Sequence, residues 1–187
     1  MNKKTLDTLN ELRIKRDFNT ENYIHDKCYY INDFFRNNNL DSVVLGLSGG
    51  IDSAVTLALL IEASKKENSP IKKILGLSMP IYNEGSTGQR DATERANLLY
   101  AKYKEEKIFE FKIINLTDAC NVHISEMNKY YKCNQFAIGQ LLPIVRTACL
   151  YFNAAILQTI GYKSIVSGTI NRDEGSYIGF FGKASDM

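Results

Sequence analysis

The 187-residue sequence lacks tryptophan and has only two histidines, three prolines and four cysteines. No two cysteines form a C-x-x-C pair, and each histidine stands near a single cysteine only, as His25-x-x-Cys28 and Cys120-x-x-His123, without the second ligand pair of a zinc motif. This scarcity argues against a zinc site and against a disulfide framework. We therefore expect free thiols in a reducing compartment. The four cysteines are Cys28, Cys120, Cys133 and Cys149.

Two further absences limit the partners that the chain can have. The formal net charge is only +2, with no dense Lys/Arg tract, so composition does not favour a nucleic-acid partner. No uninterrupted apolar run reaches the roughly 18–20 residues of a membrane-spanning helix. The first seven residues turn polar and acidic at once, which is not typical of a signal peptide. We expect a cytoplasmic protein that acts on small molecules, without nucleic-acid or membrane partners.

Strand and helix patterns alternate along the chain. Apolar, β-branched runs predict strands at residues 43–47, 74–79, 108–114 and 164–168. Helical patterns cover residues 20–37, 54–63, 89–104, 117–129 and 140–160. This alternation predicts an α/β fold, a doubly wound parallel sheet with helices on both faces. Ligands of such folds bind beyond the carboxyl ends of the strands.

The most informative segment follows the first predicted strand and reads Ser48-Gly49-Gly50-Ile51-Asp52-Ser53. A strand, a glycine turn and a helix bring backbone N–H groups and a helix N-terminus together on an anion. Glycines let the main chain approach phosphate oxygens, and serine hydroxyls add donors. A carboxylate beside phosphates repels them unless a cation lies between, so Asp52 indicates Mg²⁺.

This segment resembles the PP-loop of the N-type ATP pyrophosphatases, which cleave ATP to AMP and pyrophosphate. It does not match the Walker pattern, because no lysine follows the glycines. The resemblance implies attack at the α-phosphate and departure of pyrophosphate. The residues that it assigns to ATP binding are Gly46, Leu47, Ser48, Gly49, Gly50, Ile51, Asp52 and Ser53.

Residues 168–186 resemble the segment G-T-x-x-x-x-E-x-x-x-G-[FY]-x-T-K-x-G-D of NAD synthetases, with one extra residue between Glu174 and Gly179. The resemblance implies that Thr169 contacts ATP, that Glu174 joins Asp52 on Mg²⁺, and that Lys183 lies near the dinucleotide substrate. Asp52, Glu174 and Lys183 are thus the predicted catalytic residues. The matching positions are Gly168, Thr169, Glu174, Gly179, Phe180, Lys183 and Asp186.

Residues 139–151 resemble the family's G-N-x-x-A-R-x-R-M-x-x-L-Y segment and retain Arg146 and Tyr151. Ile144 stands in place of the first arginine, which the family uses to bind deamido-NAD. Ser78 likewise replaces an arginine that is frequent after the family's second strand. Isoleucine offers an anionic substrate neither charge nor a donor, so these replacements leave the second substrate open.

The leading hypothesis is an ammonia-dependent NAD synthetase-like ligase that uses ATP, Mg²⁺, deamido-NAD and ammonia. It predicts one domain over residues 1–187, incomplete at its C-terminus because family members continue further, and a homodimer. One alternative keeps the ATP chemistry but uses a different carboxylic acid. A second alternative is a nucleotide-binding, non-catalytic relative.

Overall fold

The computed structural model of the protein describes residues 3, 4, 7, 19–82 and 87–170. Its helices are α1 Thr20–Asn37, α2 Ile51–Ser64, α3 Thr87–Tyr103, α4 Thr117–Asn128 and α5 Gln135–Thr159. Its strands are β1 Ser42–Gly46, β2 Lys73–Ser78, β3 Phe109–Ile113 and β4 Ser164–Ser167. Strands and helices thus alternate as the sequence predicts.

The sheet is parallel and has the order β3-β2-β1-β4. Val44 of β1 is paired with Leu75 of β2 on one side and with Val166 of β4 on the other. The chain runs outward from β1 through β2 and β3, and then returns to the opposite side of β1. The crevice beyond the carboxyl ends of β1 and β4 is therefore the topological switch point, where ligands of open α/β sheets bind.

Helices cover both faces of the sheet, which confirms the predicted doubly wound α/β fold. On one face, Leu45 packs in a cluster with side chains of α1, α2 and α3, including Ile61. On the other face, Val44 packs in a cluster with side chains of α4 and α5, including Leu157. Successive residues of a strand point to opposite faces, so neighbouring apolar residues of β1 fill both clusters.

Asp41 aligns the amino ends of three strands. Its carboxylate accepts a hydrogen bond from the Lys163 amide at 2.7 Å, just before β4. Its carbonyl accepts a hydrogen bond from the Lys72 amide at 2.7 Å, just before β2. The hydroxyls of Ser42 and Ser164 form a further hydrogen bond between β1 and β4.

Helix α5 begins five residues before the start that the sequence predicts. Asn134 caps it by accepting a hydrogen bond from the Ala137 amide at 2.9 Å, and Pro143 lies inside the helix. By length and composition, α5 could also cross a bilayer, although no uninterrupted apolar run of that length is present. Its Ala154 and Leu157 are buried in the core, however, so α5 is a packed helix of the α/β fold.

Candidate functional site

The turn between β1 and α2 is held by its own serines. The Ser48 hydroxyl accepts a hydrogen bond from the Gly50 amide at 3.2 Å, and the Ser53 hydroxyl donates to the Gly50 carbonyl at 3.0 Å. The two hydroxyl oxygens lie 3.3 Å apart. The turn leads directly into Ile51, where α2 begins. Free backbone N–H groups at this helix end favour an anion.

Only one of the two loop glycines is required by the backbone conformation. Gly49 has φ +75°, in the left-handed region that favours glycine. A Cβ on Gly49 would lie 2.4 Å from the carbonyl oxygen of Ala92, so α3 packs directly against the loop. Gly50 has φ −87°, and a Cβ there would meet only the Ser48 hydroxyl, at 3.2 Å.

A cavity of about 480 Å³ opens beside this loop at the switch point. Gly46, Leu47 and Ser48 line one side of it, and Thr169, which follows β4, also lines it. The structure thus brings together residues that the sequence predicts to bind ATP from two distant segments. A second groove, of about 630 Å³ between α1, α2 and β4, contains none of the predicted site residues.

Asp52 lies in the first turn of α2, and the Ile51 side chain beside it is 74% exposed. The predicted residues Glu174 and Lys183 lie outside the described residues. In the described part of the chain, no group of three or more His, Cys, Asp or Glu side chains could hold a metal ion. The donor chemistry still suits Mg²⁺, because a carboxylate at a phosphate-binding turn can share the ion with phosphate oxygens and water.

Arg146 makes hydrogen bonds to two other segments of the chain, and the sequence did not predict these contacts. Its Nε donates to the Met79 carbonyl at 3.1 Å, and its Nη2 donates to the Gln89 side-chain oxygen at 3.1 Å. The same Gln89 oxygen accepts the Ile81 amide at 3.4 Å. Arg146 and Gln89 therefore hold the segment after β2 between α5 and α3, where both side chains line the cavity.

Arg146 also keeps a positive charge in this wall. Burial lowers the pKa of its guanidinium, against a smaller opposing effect of the neighbouring Cys120. An arginine stays protonated despite such a shift. Burial also raises the pKa values of the thiols of Cys28, Cys120 and Cys149, which keeps them neutral and argues against a nucleophilic role for these three.

The two replaced arginine positions lie in different surroundings. Ser78 is buried and lines the cavity. Ile144 is 44% exposed on α5 and is not among the lining residues. Among the described residues that line the cavity, the positive charge therefore comes from Arg146.

A second cation reaches the loop itself. The Nε of Arg95, on α3, donates to the Gly49 carbonyl at 2.9 Å, across 46 residues of sequence. No local pattern marks Arg95, because it reads as one of several charged residues on an exposed helix. Only the packing of α3 against Gly49 reveals the contact.

The parallel sheet, its switch point and the Ser-Gly-Gly turn before α2 define a protein of the PP-loop α/β class. A family model described as NAD synthase matches residues 23–187. The chain therefore belongs to the NAD synthase family.

Known relatives agree with this assignment. The chain is 28% identical to an NH(3)-dependent NAD(+) synthetase of Pyrobaculum aerophilum over 84% of its own length and 52% of the relative's. It is 30% identical to an NH(3)-dependent NAD(+) synthetase of Methanocaldococcus jannaschii over 89% of its own length and 58% of the relative's. The chain thus spans about half the length of the curated relatives that it matches.

Two solved structures share the fold at 25% identity. An NH3-dependent NAD synthetase of Campylobacter jejuni superposes with a TM-score of 0.67, covering 88% of this chain and 62% of that one. An NMN synthetase of Francisella tularensis superposes with a TM-score of 0.69, covering 91% of this chain and 62% of that one. The fold is thus shared with relatives that carry two different synthetase names.

Proposed function

We propose that the protein is an ammonia-dependent, ATP-consuming carbon–nitrogen ligase of the NAD synthetase type. The observation that carries this proposal is the cavity at the switch point, which Ser48 of the PP-loop and Thr169 after β4 both line. Small-molecule substrates suit a cavity of this size. We also place the protein in the cytoplasm, where ATP and free thiols are both present.

Each half of the proposed reaction breaks one bond. A carboxylate oxygen of the acid attacks the α-phosphorus of ATP, and the bond from that phosphorus to the bridging oxygen breaks, so pyrophosphate leaves. Ammonia then attacks the activated acyl carbon and loses a proton, and AMP leaves with the former carboxylate oxygen. No protein nucleophile is needed, because positioning and charge stabilisation provide the rate enhancement.

Each residue of the proposed site has its own role in binding the substrates or the metal ion. The Gly49 amide and the Ser48 hydroxyl would hold phosphate oxygens, and Thr169 would contact ATP across the crevice, while the buried Ser53 supports the turn through its bond to the Gly50 carbonyl. Mg²⁺ would be held by Asp52 and, as the family resemblance implies, Glu174. When bound, the ion neutralises negative charge on the phosphates. The resemblance places Lys183 on the second substrate.

An assay of pyrophosphate and AMP release tests the proposal. We expect equal amounts of both products when the protein is given ATP, Mg²⁺, ammonia and deamido-NAD, together with one amide per AMP. The deamidated form of NMN is the second acid to test, since an NMN synthetase shares the fold and Ile144 removes a family arginine. Glutamine without free ammonia is the control nitrogen donor.

Three outcomes separate the hypotheses. Release with another acid but none with deamido-NAD would keep the ATP chemistry and replace the substrate. Formation of ADP would contradict attack at the α-phosphate. ATP binding by calorimetry without turnover at high protein concentration would favour the non-catalytic alternative.

We further propose that two copies associate through α5. This helix buries Ala154 and Leu157 but leaves large apolar side chains exposed along its length. An apolar surface of this kind is typical of a protein–protein interface. The exposed large apolar side chains of α5 are Phe136, Ile144, Tyr151, Phe152 and Ile156, and Ile160 follows at the C-cap of the helix.

Light scattering tests this association. We expect a dimer for the wild type, and a shift to monomer for Phe152→Glu, because Phe152 is 67% exposed and a carboxylate there could not be buried without a partner. Leu98→Glu is the matched control, since Leu98 is 70% exposed on α3 and should leave the dimer intact. A monomeric wild type at all concentrations would contradict the proposal.

A further inference from the structure

Arg95 is a cation at the PP-loop that neither the loop motif nor the family resemblance assigns to the site. Its Nε donates to the Gly49 carbonyl at 2.9 Å. Gly49 in turn packs against the backbone of Ala92, one helical turn before Arg95 on α3. Residues three apart lie on the same face of a helix, so the face of α3 that touches the loop also carries the arginine.

The guanidinium keeps most of its donors after this contact. An arginine has five N–H groups, and the bond to Gly49 uses one of them. Among the described residues, no ion pair involves Arg95, and the side chain is exposed. Within the described part of the chain, no carboxylate therefore neutralises the charge of Arg95.

The side chains of the loop itself provide no positive charge for a bound anion. The other polar side chains of the turn are the neutral hydroxyls of Ser48 and Ser53 and the carboxylate of Asp52. No lysine follows the glycines, as one does in a Walker loop. The anion that the loop would hold gains negative charge as pyrophosphate departs, and a planar guanidinium can bind two phosphate oxygens at once.

We propose that Arg95 binds the pyrophosphate portion of ATP and stabilises the departing pyrophosphate, with its Nε fixed on the Gly49 carbonyl. This inference rests on the proposed ATP chemistry of the loop. The helix α3 thereby supplies the positive charge that a Walker loop carries within its own sequence. The acid substrate and ammonia play no part in the inference, so it can be tested by binding alone.

Calorimetry with pyrophosphate, ATP and AMP, each with Mg²⁺, tests the role of Arg95. We expect Arg95→Gln to weaken pyrophosphate and ATP binding about 10–100-fold, because one charged hydrogen-bonding partner is lost. AMP binding should change less than about twofold, since AMP lacks the pyrophosphate portion. Arg95→Lys keeps the charge and should retain most of the affinity for pyrophosphate.

Arg90→Gln is the matched control. It removes the same charge from the same helix, but position 90 lies about 140° around α3 from position 95. We expect its pyrophosphate affinity to equal that of the wild type. Circular dichroism and thermal unfolding of each variant report whether the fold is kept.

The outcomes are distinct from those of the ligase assay. Equal losses of pyrophosphate and AMP binding in the Lys and Gln variants would overturn the inference and leave Arg95 as a support of the loop backbone. Unchanged pyrophosphate binding in Arg95→Gln would also overturn the inference. If the wild type still bound ATP, the proposed function would stand. Failure of the wild type to bind ATP would overturn both.

Discussion

Asp52→Asn is expected to lower ATP-dependent pyrophosphate release at least about 100-fold while the fold remains intact. The substitution keeps the size of the side chain but removes the negative charge that would hold Mg²⁺ beside the phosphates. Helix α2 loses a first-turn acid, which costs only about 0.3–1 kcal/mol. Initial rates of pyrophosphate formation, measured over a series of Mg²⁺ concentrations, give the result.

The effect of Asp52→Asn on ATP binding in the absence of Mg²⁺ provides a second test of the same role. In the absence of Mg²⁺, Asp52→Asn should bind ATP at least as tightly as the wild type, because the carboxylate then only repels the phosphates. Asp118→Asn is the matched control, since Asp118 is an exposed acid in the first turn of α4. Wild-type turnover in Asp52→Asn, or a similar loss in Asp118→Asn, would contradict the role of Asp52.

Gly49→Ala is expected to cause the second large effect, through sterics instead of charge. Alanine at φ +75° is strained, and its Cβ would lie 2.4 Å from the Ala92 carbonyl oxygen. We expect a loss of about 2–4 kcal/mol in the free energy of unfolding from backbone strain and overpacking together. For a chain of this length, this lowers the melting temperature by about 4–16 °C.

Gly50→Ala provides the comparison for stability. Gly50 has φ −87°, and its added Cβ would meet only the Ser48 hydroxyl, which can rotate away. We expect its melting temperature to stay within about 3 °C of the wild type. Thermal unfolding followed by circular dichroism distinguishes the two variants. Equal stability of Gly49→Ala and the wild type would show that α3 does not pack on the loop as described.

Local patterns were sufficient for the strand, turn and helix around residues 43–63. An apolar run, two glycines and a helical repeat each depend on near neighbours in sequence, so their interpretation needed no knowledge of the rest of the fold. The start of α5 was placed five residues too late, since the helix begins at Gln135 after the Asn134 cap and continues through Pro143.

The long-range contacts that arginines make around the site could not be predicted in this way. Arg95 reaches Gly49 across 46 residues, and Arg146 reaches Met79 across 67. Both contacts depend on how α3 and α5 pack against the sheet, and a charged residue on a helix does not indicate what its end will touch. The strand order β3-β2-β1-β4 is likewise a tertiary property, although it decides where the site lies.

The pairing of β4 with β1 links binding to the assembly of the fold. Ser42 and Ser164 are bonded across 122 residues, whereas β1 joins β2 after a single helix. Contacts so distant in sequence require a long loop to close, which costs conformational entropy and slows folding. Ser48 follows β1 and Thr169 follows β4, so this long-range pairing brings the two residues to the same cavity. A nucleotide that touches both would therefore bind only the completed sheet, and its binding energy would stabilise this long-range strand pairing.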